Sequence, residues 1–285
     1  MFYKFFKMQD IKKKFWLEKF DCFSITGKDA RKFLNGITTG NILNSENKVI
    51  KTCWLTPNGV LRSLIEIIFL ERSLEVIILA GKTNEIIDYF NQIIFPADDV
   101  LLSEPSLINR IQEIDEFSSW RTYQPIFLKT EDKEFEIYKN KLNLLNPNDL
   151  KLWKINQAIP SLEMEINGKN NPLELGLQDL IDFNKGCYLG QETMSKIKNV
   201  SSLKQEIRIW KSIESNYNLD LKDKNLYTNS AKDISVGKIT SFFKSDCQIK
   251  GLAMIKRKYL EEESCFFSEI FGKIIIQKSV GSIFL

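Results

Sequence analysis

Eight consecutive residues concentrate the chemistry of this chain: Lys185-Gly186-Cys187-Tyr188-Leu189-Gly190-Gln191-Glu192. Gly186 and Gly190 permit a tight turn and a close approach of backbone. Gln191 and Glu192 then open an amphipathic helix. A thiol in the turn before a helix lies near the positive end of the helix dipole, here with Lys185 two positions away, and both effects favour the thiolate. The alternative is a glycine-rich strand-to-helix corner in which Cys187 is merely small and buried. Spacing alone favours that simpler role.

The remaining composition narrows the chemistry sharply. None of the 285 residues is histidine. That removes the commonest general base, the Ser/His and Cys/His nucleophile pairs, and the usual nitrogen ligand of zinc. Cys22, Cys53, Cys187, Cys247 and Cys265 are widely spaced with no CxxC pair, so they form neither a disulfide framework nor a four-thiolate metal site. Apart from Cys187 they read as packing residues, and no metal site built by this chain alone is expected. Lys and Arg number 40 against 37 Asp and Glu, a net charge of +3 that carries no footprint of a stable nucleic-acid binder.

The elements that must position the octapeptide follow from periodicity. At roughly 150 residues per domain the length fits two or three small domains. Residues 20–26 alternate like a strand, and Ala30, Phe33, Leu34 and Ile37 then fall at helical spacing. Strands are expected at 49–56, 61–70 and 74–80, the first two joined at Pro57-Asn58-Gly59, followed by a helix over 81–94. Further strands are expected at 100–103 and 135–138, a helix at 148–159 closed by Pro160, and a loop over 161–175. After the octapeptide come strands at 205–210, 234–243, 249–255 and 273–277, a pattern that suggests a small barrel.

Other features read more plainly. The first twenty residues are basic and aromatic without an apolar core, so they read as an exposed leader or edge helix and not as a secretory signal. The apolar run 64–70, broken by Glu66, is too short to span a bilayer. A reducing cytoplasm, with no membrane partner, is the expectation. Gly81-Lys82-Thr83 resembles the end of a Walker A loop, but Val76 stands where the first glycine is needed, so no phosphate cradle is expected. Asn199-Val200-Ser201 matches a glycosylation sequon that means nothing without export, and Glu261 to Glu263 read as a solvated face.

The octapeptide resembles the signature Lys-Gly-Cys-Tyr-x-Gly-Gln-Glu of the YgfZ-type folate-binding proteins, relatives of the T-protein (aminomethyltransferase) of the glycine cleavage system. Every fixed position is present. Looser likenesses fall in the family's order: 31–42 with its early "FL-x-G-x-x-T-N-D" segment, 55–61 with its "LTPQGRIL" hairpin, 154–160 with "RIEAGIP", and 237–253 with "G-x-x-T-S…G-L-A". The resemblance covers about residues 20 to 260.

It implies an α+β, ring-like three-domain folate-binding fold of the T-protein type with a small C-terminal β-barrel. The parts would be a first α+β core part at 20–145, a second at 146–202 carrying the octapeptide, and the barrel at 203–285. It also implies tetrahydrofolate or a derivative as ligand. Lys185, Gly186, Tyr188, Gly190, Gln191, Glu192, Asn156, Trp54 and Lys196 would form the binding set, with Trp54, Tyr188 and Phe183 as apolar walls. The YgfZ branch is associated with assembly or repair of iron–sulfur clusters in client enzymes, so transient client or carrier proteins are the implied partners, with Cys187 as the redox or nucleophilic thiol.

Departures from the family pattern bear on the alternative, a tetrahydrofolate-dependent aminomethyltransferase of one-carbon metabolism. The T-protein carries an acidic residue after its hairpin; here Arg62-Ser63-Leu64-Ile65 offers no carboxylate before Glu66. The family's Asn-Asp becomes Gly40-Asn41, and its Arg, Glu and Gly at 154–160 become Lys154, Asn156 and Ala158. Lys196 replaces an arginine, losing bidentate recognition of a carboxylate tail. These changes disfavour aminomethyl transfer and leave a third reading, an inactive scaffold of the same fold.

Overall fold

A computed structural model describes residues 13–45, 49–114, 119–197, 203–213, 217–245, 248–260 and 265–277. The sequon, Cys247, the acidic run at 261–263 and the first twelve positions lie outside the described residues.

The first half is built on one antiparallel sheet. Its members are β1 (Lys14–Thr26), β2 (Ile50–Leu55), β3 (Leu61–Phe69), β4 (Leu74–Ala80), β5 (Leu101–Leu102), β6 (Ser106–Ile114) and β7 (Ile126–Leu128). The order across it is β2-β3-β4-β1-β6-β7, with β5 beside β1. Residues 14–20 belong to β1, which corrects the helix reading of that stretch. Side chains alternate between two faces. On one face Phe23, Ile25, Trp54, Ile65, Ile67, Val76 and Ile78 pack beneath α1 (Ala30–Ile37) and α2 (Thr83–Ile93), which add Leu34, Ile86 and Phe90. The other face carries Trp16, Cys53, Leu55 and Leu64 toward the rest of the molecule.

Between sheet and barrel run α3 (Lys133–Lys141), α4 (Pro147–Asn156) and α5 (Gln191–Ile197). α3 corrects the strand expected at 135–138: Phe135 is buried while Ile137 is 55% exposed, so the apolar face repeats with a helical period. Acidic Glu134 and Glu136 in its first turn and Lys139 and Lys141 in its last suit the helix dipole. α4 starts where Asn146 accepts the N–H groups of Asn148 (3.0 Å) and Asp149 (2.9 Å), with Pro147 in the first turn. Just beyond α4, Ala158 takes φ +45°, the left-handed region, where the family pattern has glycine.

The C-terminal strands β8 (Gln205–Ser212), β9 (Asn225–Tyr227), β10 (Ser235–Lys244), β11 (Ile249–Lys256), β12 (Cys265–Ser268) and β13 (Gly272–Ile276) close into a barrel, β10-β11-β8-β13-β12-β9. Trp210, Ala253, Ile255, Phe266 and Phe271 fill it. Ile207, Ile209, Leu252 and Met254 point outward and join the core shared with the sheet. Backbone bonds tie the parts together: Leu61 N–H donates to Asn170 O (2.9 Å) and Ile207 N–H to Glu174 O (2.8 Å). No helix among the described residues is long and apolar enough to cross a membrane.

Candidate functional site

The octapeptide lies against the chain that follows α1. Asp182 N–H donates to Thr39 O (2.9 Å) and Leu189 N–H to Gly36 O (2.9 Å). Between these anchors the Lys185 ammonium turns inward and donates to the carbonyls of Asn35 (2.6 Å), Thr38 (2.8 Å) and Gly40 (2.6 Å). Three bonds use all its donors. The nitrogen also sits 5.2 Å from the centre of the Tyr188 ring. Burial draws Lys185 down to about 8, against the opposing charge of Asp182. Burial pushes the Asp182 carboxyl up, but the donors of Asn184, Asn41 and Lys185 outweigh it and hold it below the usual range.

Gly190 and Gly59 bring the β2–β3 hairpin onto the start of α5. Gly190 has φ +83°, and a Cβ there would stand 2.7 Å from Thr56 O. Gly59 has φ +75°, and its Cβ would meet Met194 Cε at 2.7 Å. Gly186 differs from both, with nothing within 4 Å of an added Cβ, so close approach is not its role. Cys187 is exposed, which corrects the buried-corner alternative. The neighbouring lysine charge is directed to three carbonyls.

Tyr188 is buried, its N–H given to Gln191 Oε1 (3.3 Å) and its carbonyl taking Gln191 N–H (3.1 Å). Its hydroxyl has no hydrogen-bond partner among the described residues, and burial pushes it up to about 12.

Beside the octapeptide opens a cleft of about 520 Å³, lined among others by Gly40, Asn41, Lys51, Asp179, Asp182 and Phe183. Arg121 pairs with Asp179 at this cleft and donates to Gly176 O (2.8 Å). Lys51 leads inward from it. Its ammonium donates to Tyr123 O (2.6 Å), lies 3.5 Å from Glu66, and is lowered by burial. Glu66 takes a two-pronged pair from Arg110, 2.7 Å to Nε and 3.0 Å to Nη2, both residues fully buried. Arg110 lies over Trp16, 4.3 Å from the ring centre, while its Nη1 and both amide atoms of Gln112 have no partner among the described residues.

Sequence reasoning passed over Lys51, Arg110 and Gln112. The signal was there in principle, as charged and amide side chains set within otherwise apolar strands.

Other candidate residues lie apart from this group. Trp54 points to the helix-covered face of the sheet, opposite Cys53 and Leu55, and so is not with Tyr188. Asn156 accepts Lys250 of β11 at 3.4 Å, joining α4 to the barrel. Lys196 pairs with Glu192 (2.6 Å) across one turn of α5, both largely exposed. Phe183 packs against the shared core and lines the cleft. Among the described residues no group of three or more His, Cys, Asp or Glu is placed to hold a metal ion.

Comparison with known proteins adds the relationship. No family model matches the chain. A chloroplastic protein of Arabidopsis thaliana, named a presumed transferase, is 33% identical over 107 residues, 37% of this chain and 23% of that protein. The "tRNA-modifying protein YgfZ" of Aliivibrio fischeri is 30% identical over 93 residues, 31% of this chain and 29% of that one. These matches therefore span under a third of either relative. A Haemophilus influenzae protein without an assigned function is 24% identical over 214 residues, 68% of this chain and 72% of that one. Among solved structures, the glycine cleavage system aminomethyltransferase T of Bartonella henselae superposes with a TM-score of 0.72 at 9% identity, covering 93% of this chain and 85% of that one. The chain has the fold of the glycine cleavage T-protein and is similar over part of its length to YgfZ proteins. In this fold the cleft opens at Asp182, Phe183 and Asn184, just before the octapeptide, and Lys51 on its wall reaches the buried Glu66.

Proposed function

We propose that the chain binds a reduced folate through this cleft and assists assembly or repair of iron–sulfur clusters in client enzymes. The observation that carries the reading is a set of buried polar atoms without partners among the described residues, Arg110 Nη1, Gln112 Nε2 and Oε1, and the Tyr188 hydroxyl, of which Arg110 is joined to the cleft through Glu66 and Lys51. Such atoms are costly to bury unless something satisfies them. A pterin edge offers donors and acceptors in alternation, which suits an amide presenting one of each. The cleft volume also lies within the usual range for small-molecule sites.

When bound, a reduced folate supplies a carrier for one-carbon units. The chain's own residues do the holding. Lys51 and Arg110 fix Glu66, which leaves that carboxylate engaged and unsuited to general acid–base work. Ser63 and Leu64, before it, carry no acid. Aminomethyl transfer therefore fits the site less well than binding. The exposed Cys187 stands a few residues beyond the cleft wall at Asn184, where a thiol meets a partner protein and not the interior.

The test is calorimetric titration with tetrahydrofolate and its 5-formyl derivative. Micromolar binding is expected, with Gln112→Leu weakening it about tenfold or more and Cys187→Ala leaving it intact. A folded protein that binds neither, or a Gln112→Leu variant that binds equally well, overturns the ligand reading. In cells lacking the protein, activity of iron–sulfur clients should fall and not return with Cys187→Ala; full return removes the thiol role.

A further inference from the structure

The outward stripe of the barrel changes character where it leaves the core. On β8 it runs through Ile207 and Ile209 to Lys211 and, just past the strand, Ile213; on β11 it runs through Met254 and Leu252 to Lys250. The first members of each run are buried in the core shared with the sheet. Lys211 is exposed, Lys250 is half-buried and Ile213 is 51% exposed. We propose that this edge of the barrel, with α4 beside it, is a docking surface for an acidic segment of a partner protein. It shares no residue with the cleft beside the octapeptide, so the proposal does not depend on folate binding or on Cys187.

Three observations carry it. Lys211 and Lys250 stand directly opposite each other on paired strands, and Phe243 of β10 is opposite Lys250 on its other side. Lys151 of α4 lies over the Phe243 ring, 5.9 Å from its centre, and so brings a third ammonium to the same edge. Like charges facing across a strand pair are destabilising. Among the described residues no carboxylate pairs with any of these lysines, since Glu18, the acid on the α4 side, is taken by Lys154. Lys250 has Asn156 Oδ1 at 3.4 Å as its hydrogen-bond acceptor, while burial and the charge of Lys211 both lower its pKa. Finally, Ile213 sets an exposed apolar side chain at the next outward position after Lys211.

Charge complementarity names the occupant. Carboxylates on a partner segment relieve the repulsion between Lys211 and Lys250, and an apolar side chain among them meets Ile213. A nucleic acid fits the edge less well. Phe243 packs against the shared core under Lys151, so it offers no open ring for base stacking, and the whole chain carries a net charge of only +3. Docking on so few exposed cations is weak and sensitive to salt.

The experiment measures fluorescence anisotropy of a labelled Glu-Glu-Leu-Glu-Glu peptide, and of labelled oligouridylate for comparison, against the full chain at low and high salt. Saturable peptide binding at low salt, lost at high salt and tighter than that of oligouridylate, is expected. Lys211→Glu is the decisive variant. By pairing with Lys250 it should raise the melting temperature by about 1–3 °C, yet weaken the peptide about tenfold or more. Lys151→Gln and Ile213→Ser, both changes of exposed side chains, should each weaken it about threefold. Lys32→Glu makes the same charge change on exposed α1 and should leave binding within about twofold. Absence of saturable binding overturns the proposal, as does a Lys211→Glu variant that melts lower or binds equally well. Equal weakening by Lys32→Glu reduces the effect to net charge and overturns it too, and tighter binding of oligouridylate, lost in Lys211→Glu, assigns the edge to nucleic acid instead.

Discussion

The Lys185 ammonium donates to the carbonyl oxygen of Gly40 at 2.6 Å, across 145 positions of sequence. That bond, with those to Asn35 and Thr38, makes one buried lysine the clasp between the octapeptide and the chain after α1. Lys185→Met should lower unfolding free energy by about 2–4 kcal/mol, since three buried carbonyls lose a charged donor. Urea denaturation measures it. The pH dependence has a defined sign. Folding lowers the lysine from 10.5 to about 8, so between those values the unfolded chain holds the extra proton. The wild-type advantage over Lys185→Met should therefore widen as pH rises through that window, and be least below about 8, where the buried charge carries its full desolvation penalty.

The two glycines of the octapeptide should behave differently. Gly190→Ala forces a Cβ to 2.7 Å from the Thr56 carbonyl at φ +83° and should cost about 2–4 kcal/mol. Gly186→Ala meets open space and should stay within about 0.5 kcal/mol. Thermal melts of the two variants side by side decide the matter.

Glu66 and Arg110 form a buried pair with Lys51 as a third member. Arg110→Met alone strands a carboxylate and should cost about 3–5 kcal/mol, whereas Arg110→Met with Glu66→Leu should recover much of that. A double-mutant cycle by chemical denaturation gives the coupling. Additive losses would count against the pairing.

Tyr188→Phe removes a buried hydroxyl that has no partner. It should stabilise the ligand-free protein by about 1 kcal/mol while weakening the proposed folate binding. Denaturation and calorimetry on the same sample check both halves.

Thiol accessibility separates the cysteines. Brief maleimide labelling followed by peptide mass mapping should modify Cys187, which is exposed, and spare Cys22 and Cys53, which are buried. Burial pushes Cys53 up to about 12, so it should resist even at mildly alkaline pH. Labelling of Cys53 before Cys187 in native protein would contradict the described packing.

Much of this architecture was legible from periodicity where a strand buries ordinary apolar side chains. The helix at 30–37, the hairpin around Gly59 and the barrel strands β8, β10 and β11 lie close to where the spacing placed them. β6 was missed because Asn109, Arg110 and Gln112, all buried, break its apolar pattern. β1 was shortened for a related reason, its Glu18 and Lys19 reading as surface. At 135–138 the residues Phe135, Ile137 and Tyr138 look like a strand, but Phe135 and Tyr138 share one apolar cluster while Ile137 is exposed, the spacing of a helix. The octapeptide was visible as a local string. Its partners were not, because Asn35, Thr38 and Gly40 act through backbone carbonyls that no side-chain pattern reveals.

The short run from Asn170 to Glu174 holds the hairpin through Leu61 at one end and the barrel through Ile207 at the other. Mechanically it is a stiff strut joining two bodies in series. Tension that drew the barrel from the sheet would load both bonds at once. Cutting the strut would leave the octapeptide clasp untouched and pass the whole load to the shared core and to the Lys250–Asn156 and Ser241–Glu165 bonds.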